Sequence, residues 1–355
     1  MSLATGLKPG TEGSRVSSLV RRLWQLLRLV LTVAVTFFGL LLVTFLIARV
    51  VPIDPVLAIV GERASPETYR AAYEALGLDR PLYEQFFVYV GKVLQGDLGQ
   101  SLLTARPVLE DVARVFPATL ELATVATLIG VTLGIPSGVF AAVHQGRWPD
   151  HLVRVVGLFG YSMPVFWLGL MGLLVFYGVL DWVAGPGRLD IFYEDVVPRV
   201  TGVILIDSLL AGDLEVFENA LSHIILPASV LGYYSLAYIS RMTRSLMLEQ
   251  LSQEYVTTAR VKGLSEARVI WRHALGNVMV PLITVIALSY ANLLEGSVLT
   301  EIVFAWPGLG LYITNSLLSA DMNAVLGGTI VVGSVFIGLN LLSDLLYRIV
   351  DPRAR

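Results

Sequence analysis

Long apolar runs separated by short polar connections dominate the chain. Runs of spanning length cover Leu29 to about Val50, Ala118–Val143, Leu152–Val183, Leu221–Ser240, Val278–Thr300 and Ala324–Tyr347. A bilayer core needs roughly 20 apolar residues per helix, so the pattern predicts an all-α integral membrane protein with about six transmembrane helices. The first run is too long for a signal-peptide apolar region, which has about 7–15 residues, and reads as a retained helix. A shorter apolar piece, Thr201–Ala211, is interrupted by Asp207 and is expected to lie at the membrane surface. The resulting division is a basic N-terminus (1–28), a first span (29–50), a structured outer loop (51–117), a transmembrane core (118–347) with an inner loop at 246–276, and a tail (348–355).

Two loops carry local order. In the first, Ser65 can cap a helix that starts with Pro66 and Glu67, and Gly77 can close it. Tyr83, Phe86, Phe87 and Val90 are then spaced for one apolar helical face. In the second loop, Leu248, Leu251, Tyr255 and Ala259 recur at helical spacing, and Gly263 suits a left-handed helix end. Ser265 can cap a following helix that carries Glu266, Val269 and Ile270. The expectation is a stiff two-helix elbow between the fourth and fifth spans. Arginines fix the orientation. Arg21/Arg22/Arg28, Arg147/Arg154, Arg241–Arg272 and Arg348/Arg353/Arg355 share one side if both termini are cytoplasmic.

Composition narrows the chemistry. The chain has 355 residues, 55% hydrophobic and 15% charged, where soluble domains carry about 25% charged residues. Its net charge of −3 gives no electrostatic basis for a nucleic-acid partner. There is no cysteine, and the four histidines show no metal-ligand spacing. Lys8, Lys92 and Lys262 precede Pro, Val and Gly, so no phosphate-binding loop is present and any nucleotide must be used by another subunit.

Intramembrane polar residues default to a functional reading because unpaired charge in lipid costs about 2.5–3.5 kcal/mol on insertion scales. Glu295, beside Asn292, is a candidate for lining a pathway, whereas Glu121 is expected to snorkel or cap at the outer end of its span. Glu301 and Trp306-Pro307-Gly308 stand at the outer mouth, as a gate or partner contact or as a plain turn. Tyr161, Tyr233, Tyr234 and Tyr238 read as packing or interface aromatics, and Pro164, Pro227 and Pro281 as sites where helices could kink. A serine hydrolase built on Ser162 would need a histidine that no span brings near it. A self-sufficient secondary transporter would show paired repeats, and none is evident.

The elbow also carries a resemblance. Glu254-Tyr255-Val256-Thr257-Thr258-Ala259-Arg260-Val261-Lys262-Gly263-Leu264, with His273-Ala274 and Asn277, resembles the EAA loop of binding-protein-dependent ABC importer permeases, in particular the oligopeptide/dipeptide/nickel branch. Gly77–Leu82, Gly96-Asp97-Leu98-Gly99-Gln100-Ser101, Glu301–Gly310, Asn340–Asp344 and Asp351-Pro352-Arg353 are similar to other motifs of that branch. Ala320-Asp321-Met322-Asn323 departs from its usual Arg-Asp-x-Pro, and Ile53 replaces a usual Gly.

The resemblance implies the type I importer (MetI-like) fold and a permease paired with a second, similar permease. It also implies two ABC ATPase subunits that use ATP and Mg, an extracytoplasmic solute-binding protein, and a multi-pass location in the cell (inner) membrane. No cofactor is expected on this chain itself. The elbow would be the coupling helix, with Tyr255, Ala259, Arg260, Lys262, Gly263 and Leu264 as the ATPase-coupling residues. Di- or oligopeptides are the implied cargo, with nickel chelates, glutathione or oligosaccharides carried by similar permeases.

Overall fold

The computed structural model describes residues 11–50, 55–61 and 63–350; Lys8, Ile53 and the Asp351-Pro352-Arg353 tail lie outside the described residues. Helix α1 (Thr11–Val50) contains the first apolar span, Leu27–Ile47. Three short helices follow: α2 (Pro55–Val60), α3 (Pro66–Ala75) and α4 (Leu82–Leu94). Ser65 caps α3 by accepting from the Thr68 N–H at 3.2 Å, and Gly77 takes φ +67° just past its end. The face of α4 differs from expectation. Phe86, Tyr89, Val90 and Val93 pack on Leu41 and Phe45 of α1, while Tyr83 and Phe87 point outward. Position of the partner helix, not apolar spacing alone, selects which aromatics are buried.

The core begins with α5 (Val108–Val143), α6 (Trp148–Ser162) and α7 (Val165–Gly172), the last continuing through π-helical turns to Val179. After an irregular stretch come α8 (Ile204–Ala211) and the long α9 (Leu214–Leu251). The elbow is α10 (Glu254–Val261), α11 (Glu266–Arg268) and a π-helical turn over Val269–Ala274, leading into α12 (Leu275–Gly296). Helices α13 (Val298–Val303), α14 (Leu309–Leu318) and α15 (Met322–Val350) complete the described chain.

Among the described residues, five helices are long and apolar enough to cross a membrane, and six if a bent pair is counted as one span. That pair is the predicted span at Leu152–Val183. Instead of one straight helix, α6 and α7 meet at 98°. Pro164 is the cause. It disfavours helical backbone at the residue before it, and Met163 is extended at φ −85°, ψ 137°. Pro227 and Pro281, by contrast, lie inside continuous helices.

The most extensive helix pair is α5 with α9. Gly130, Gly134 and Gly138, spaced by four, put backbone where side chains would stand. A Cβ on Gly130 would lie 2.3 Å from Ser235 Oγ, and one on Gly138 2.5 Å from the Ser240 carbonyl. Such small-residue stripes allow close approach when lipid supplies no hydrophobic drive for helix association. Two core layers flank this contact. One joins Leu122, Ala126, Ile224, Leu231, Leu293 and Trp306; the other joins Val139, Ile239, Met247, Ile270, Val278 and Leu282. The second layer ends at the elbow, so that end of the bundle is the elbow end and the other the loop end. We expect Gly138→Val to destabilise the bundle by about 1–3 kcal/mol through overpacking, read as a lower unfolding temperature in detergent; an unchanged transition would show that α5 and α9 can separate freely.

Candidate functional site

Two places concentrate the residues singled out above. The first is the elbow. Val256 and Ala259 of α10 are buried against Val269, with Leu251, Tyr255 and Leu264 packed around them. Tyr255 donates its hydroxyl to Gln250 Oε1 at 2.9 Å, which braces α10 on the end of α9. Gly263, at φ +77°, ends α10 in the left-handed conformation, and nothing lies within 4 Å of where its Cβ would be. Ser265 stands before α11 but makes no side-chain cap. Arg260 is held by Glu266 at 2.7 Å across the turn.

The candidate coupling residues therefore divide. Tyr255, Ala259 and Leu264 form the inner side of the elbow, while Arg260, Lys262 and Gly263 are exposed at its tip. Val261 joins the exposed set with 83% of its surface open. Its exposure is not legible in the sequence, because an aliphatic residue in a helix reads as inward.

The second place is the loop end, where Glu301 is fully buried. Its carboxylate accepts from the Thr119 hydroxyl at 2.7 Å, the Ser297 hydroxyl at 3.1 Å and the Leu311 N–H at 3.0 Å. The Leu309 N–H donates to Thr119 Oγ1 at 2.8 Å, so the Thr119 proton is directed at Glu301. Burial pushes the Glu301 carboxyl above the ordinary range, against the pull of these donors. Gly308 and Gly310 make room for it: a Cβ on Gly308 would lie 2.5 Å from the carboxylate carbon. Trp306 is fully buried, and its indole N–H donates to the Ala118 carbonyl at 2.9 Å. The Trp306-Pro307-Gly308 turn thus wraps a buried acid at the start of α14 and pins α13 and α14 to α5.

Glu121 lies in the same region and differs from expectation. It does not snorkel. Its side chain is 1% exposed and takes the Arg188 guanidinium, with Nε at 2.8 Å, and the Leu205 N–H at 2.9 Å. Arg188 also donates to the Gly202 carbonyl at 2.8 Å. An acid on α5 therefore anchors the irregular stretch between α7 and α9. A buried ion pair so enclosed is strongly destabilised by removal of either member alone. Asp321, in the segment that departs from the branch pattern, is also buried. It accepts from the Ser101 hydroxyl at 2.6 Å and the Leu102 N–H at 2.7 Å, tying Gly99-Gln100-Ser101 to the start of α15. Asn323 adds a bond to the Gln100 carbonyl at 3.0 Å. Neither Arg188 nor Asp321 was legible as an anchor, because each partner lies far away in the chain.

The remaining pathway candidates sit elsewhere. Asn292 and Glu295 are exposed on α12 and line an open pocket of about 420 Å³ with Val165, Leu231 and Tyr234. No group of His, Asp and Glu among the described residues could hold a metal ion.

The described bundle joins two long apolar helices, α9 and α12, through a braced helical elbow. Residues 134–355 match the family described as the binding-protein-dependent transport system inner membrane component, and residues 22–123 match its N-terminal companion. The chain belongs to this family and is the permease subunit of an ABC importer, a multi-pass protein of the cell inner membrane. It is 47% identical to a probable D,D-dipeptide transport system permease protein, DdpB, of Escherichia coli, over 93% of this chain and 97% of that one. It is 46% identical to a di/tripeptide transport system permease protein, DppB, of Pseudomonas aeruginosa, covering 90% of this chain and 95% of that one. The solved inward-facing MetNI methionine ABC transporter aligns at TM-score 0.48 and 17% identity, covering 66% of this chain and 93% of that chain. The expected resemblance holds, and with it a role in transport in place of catalysis.

Proposed function

We propose that this chain forms half of the translocation path of an ATP-driven importer of di- or oligopeptides, paired with a second, similar permease. The elbow faces the cytoplasm and docks on an ABC ATPase subunit, one of two that bind and hydrolyse ATP with Mg. An extracytoplasmic solute-binding protein delivers the peptide at the loop end.

One observation carries the reading. The elbow is packed on its inner side and exposes Arg260, Val261 and Lys262 at its tip, and it is joined to α9 and α12 with no flexible linker. A push on the tip would therefore move two crossings as a rigid body, the kind of element through which alternating access works. The peptide cargo rests on the names of the relatives.

The test is reconstitution of the affinity-purified complex in liposomes with its binding protein and a radiolabelled dipeptide. We expect the ATPase subunits and second permease to co-purify, and uptake to require ATP. Uptake by this chain alone, without nucleotide, would overturn the proposal.

A further inference from the structure

The face of α9 that carries Tyr234, Tyr238 and Arg241 is poorly suited to lipid. Three observations on it converge. First, the α6–α7 break opens beside it, with Ser162 and Pro164 exposed. Irregular backbone at membrane depth is tolerated only where protein covers it or where it lines a water-filled cavity.

Second, two opposite charges stand there without carboxylate or guanidinium partners among the described residues. Glu295 shares a small pocket with Val332, Val335 and Phe336 of α15, which lie within the apolar span Met322–Leu342. Arg241 reaches over the Tyr161 ring, 5.1 Å from its centroid. Tyr161 lies about 20 Å along α6 from Trp148 at 1.5 Å per residue. Third, the aromatics connect them. Tyr161 stacks on Tyr234 at 5.5 Å, and Tyr234 lines, with Asn292 and Glu295, the separate open pocket of about 420 Å³. Arg241 itself borders an open pocket of about 350 Å³ with Arg154, His151 and Arg244. Arg244 is already matched by Asp150, at 2.6 and 2.8 Å, which leaves Arg241 and Arg154 to face the opening.

We propose that this strip is a substrate-handling surface of the translocation path, with Arg241 receiving the peptide's terminal carboxylate and Glu295 its ammonium. The inference rests on the peptide reading above. The tyrosines between the two charges offer rings and hydroxyls that suit many side chains, as an unselective peptide path requires. Tyr234 and Arg241 are seven residues apart, about 10 Å along a helix, and an extended chain spans at most about 3.3–3.6 Å per residue. That is the length of roughly three extended residues, so the ends of a short peptide meet the two charges in turn as it moves along the strip. An anionic lipid headgroup would also suit Arg241 and Arg154, but the same face continues to an unpaired carboxylate, which a lipid phosphate would avoid.

The test uses the complete reconstituted importer with saturating binding protein, comparing labelled Ala-Phe with its C-terminal amide. Wild type is expected to carry the free acid at least about fivefold faster. Arg241→Gln should cut acid transport by about tenfold and abolish the preference, while Arg241→Lys should restore most of both. An Arg241→Gln importer that transports and discriminates like wild type overturns the inference, although the peptide reading then stands; a wild type that carries neither compound overturns that reading first. Because the chain has no cysteine, Asn292→Cys and Tyr238→Cys supply an independent measurement should Arg241→Gln fail to assemble. Both should react with a charged, water-soluble thiol reagent in the assembled complex. Failure of both to react, or loss of bound phospholipid as the sole effect of Arg241→Gln, overturns the assignment.

Discussion

Replacing Gly263 with aspartate is expected to lower ATP-driven uptake by at least about tenfold while leaving insertion and folding intact. The two halves of that expectation have different sources. Gly263 sits at φ +77° with open space around it. Aspartate is among the few side-chain-bearing residues that visit the left-handed region readily, so the turn should survive the change. The side chain would project from the tip between Lys262 and Leu264, beside the Arg260–Glu266 pair. There it adds bulk and negative charge at the surface that the coupling proposal gives to the ATPase partner. A tenfold loss corresponds to ~1.4 kcal/mol, within reach of one misplaced charge in a contact surface. Uptake and membrane abundance should be measured together on the same vesicles. Normal uptake would remove the elbow from the coupling role; lost abundance would move the effect to folding.

The second large effect is on stability. Glu301→Ala should destabilise the bundle by about 3 kcal/mol or more, because each buried donor left unpaired costs about 1–3 kcal/mol. The Thr119 and Ser297 hydroxyls and the Leu311 N–H would all lose their acceptor at once. Loss of the side chain would also leave a void beneath Gly308 and Gly310, where the turn is moulded to the carboxylate. Glu301→Gln keeps one acceptor oxygen and most of the volume, so it should fall between wild type and alanine. Thermal unfolding of the purified protein in detergent gives the ranking. If the alanine variant melts with wild type, Glu301 does not hold the loop end together.

Ser65 as a cap, Gly77 and Gly263 as helix ends, and the paired helices of the elbow all rest on neighbours within a turn or two, and the structure bears them out. The proline at the α6–α7 break was visible as a possible kink, but not its 98° consequence, since neighbouring helices decide how far a proline bends a span. Gly130, Gly134 and Gly138 repeat every four residues in plain view. Their purpose emerges only once α9 is known to lie against them.

Apolar length, arginine placement and turn residues by themselves determined that this is a polytopic helical membrane protein with an elbow between its fourth and fifth crossings. Those properties follow from the solvent and from interactions a few residues long. Only the tertiary structure decided that Glu121 is matched by Arg188, that Glu301 is enclosed by the Gly308 turn, that Asp321 clasps Ser101, and that Arg241 faces an opening. Each of these depends on groups that the fold brings together from separate segments of the chain. A carboxylate's neighbours in space, not its neighbours in the chain, set whether it anchors or stands free.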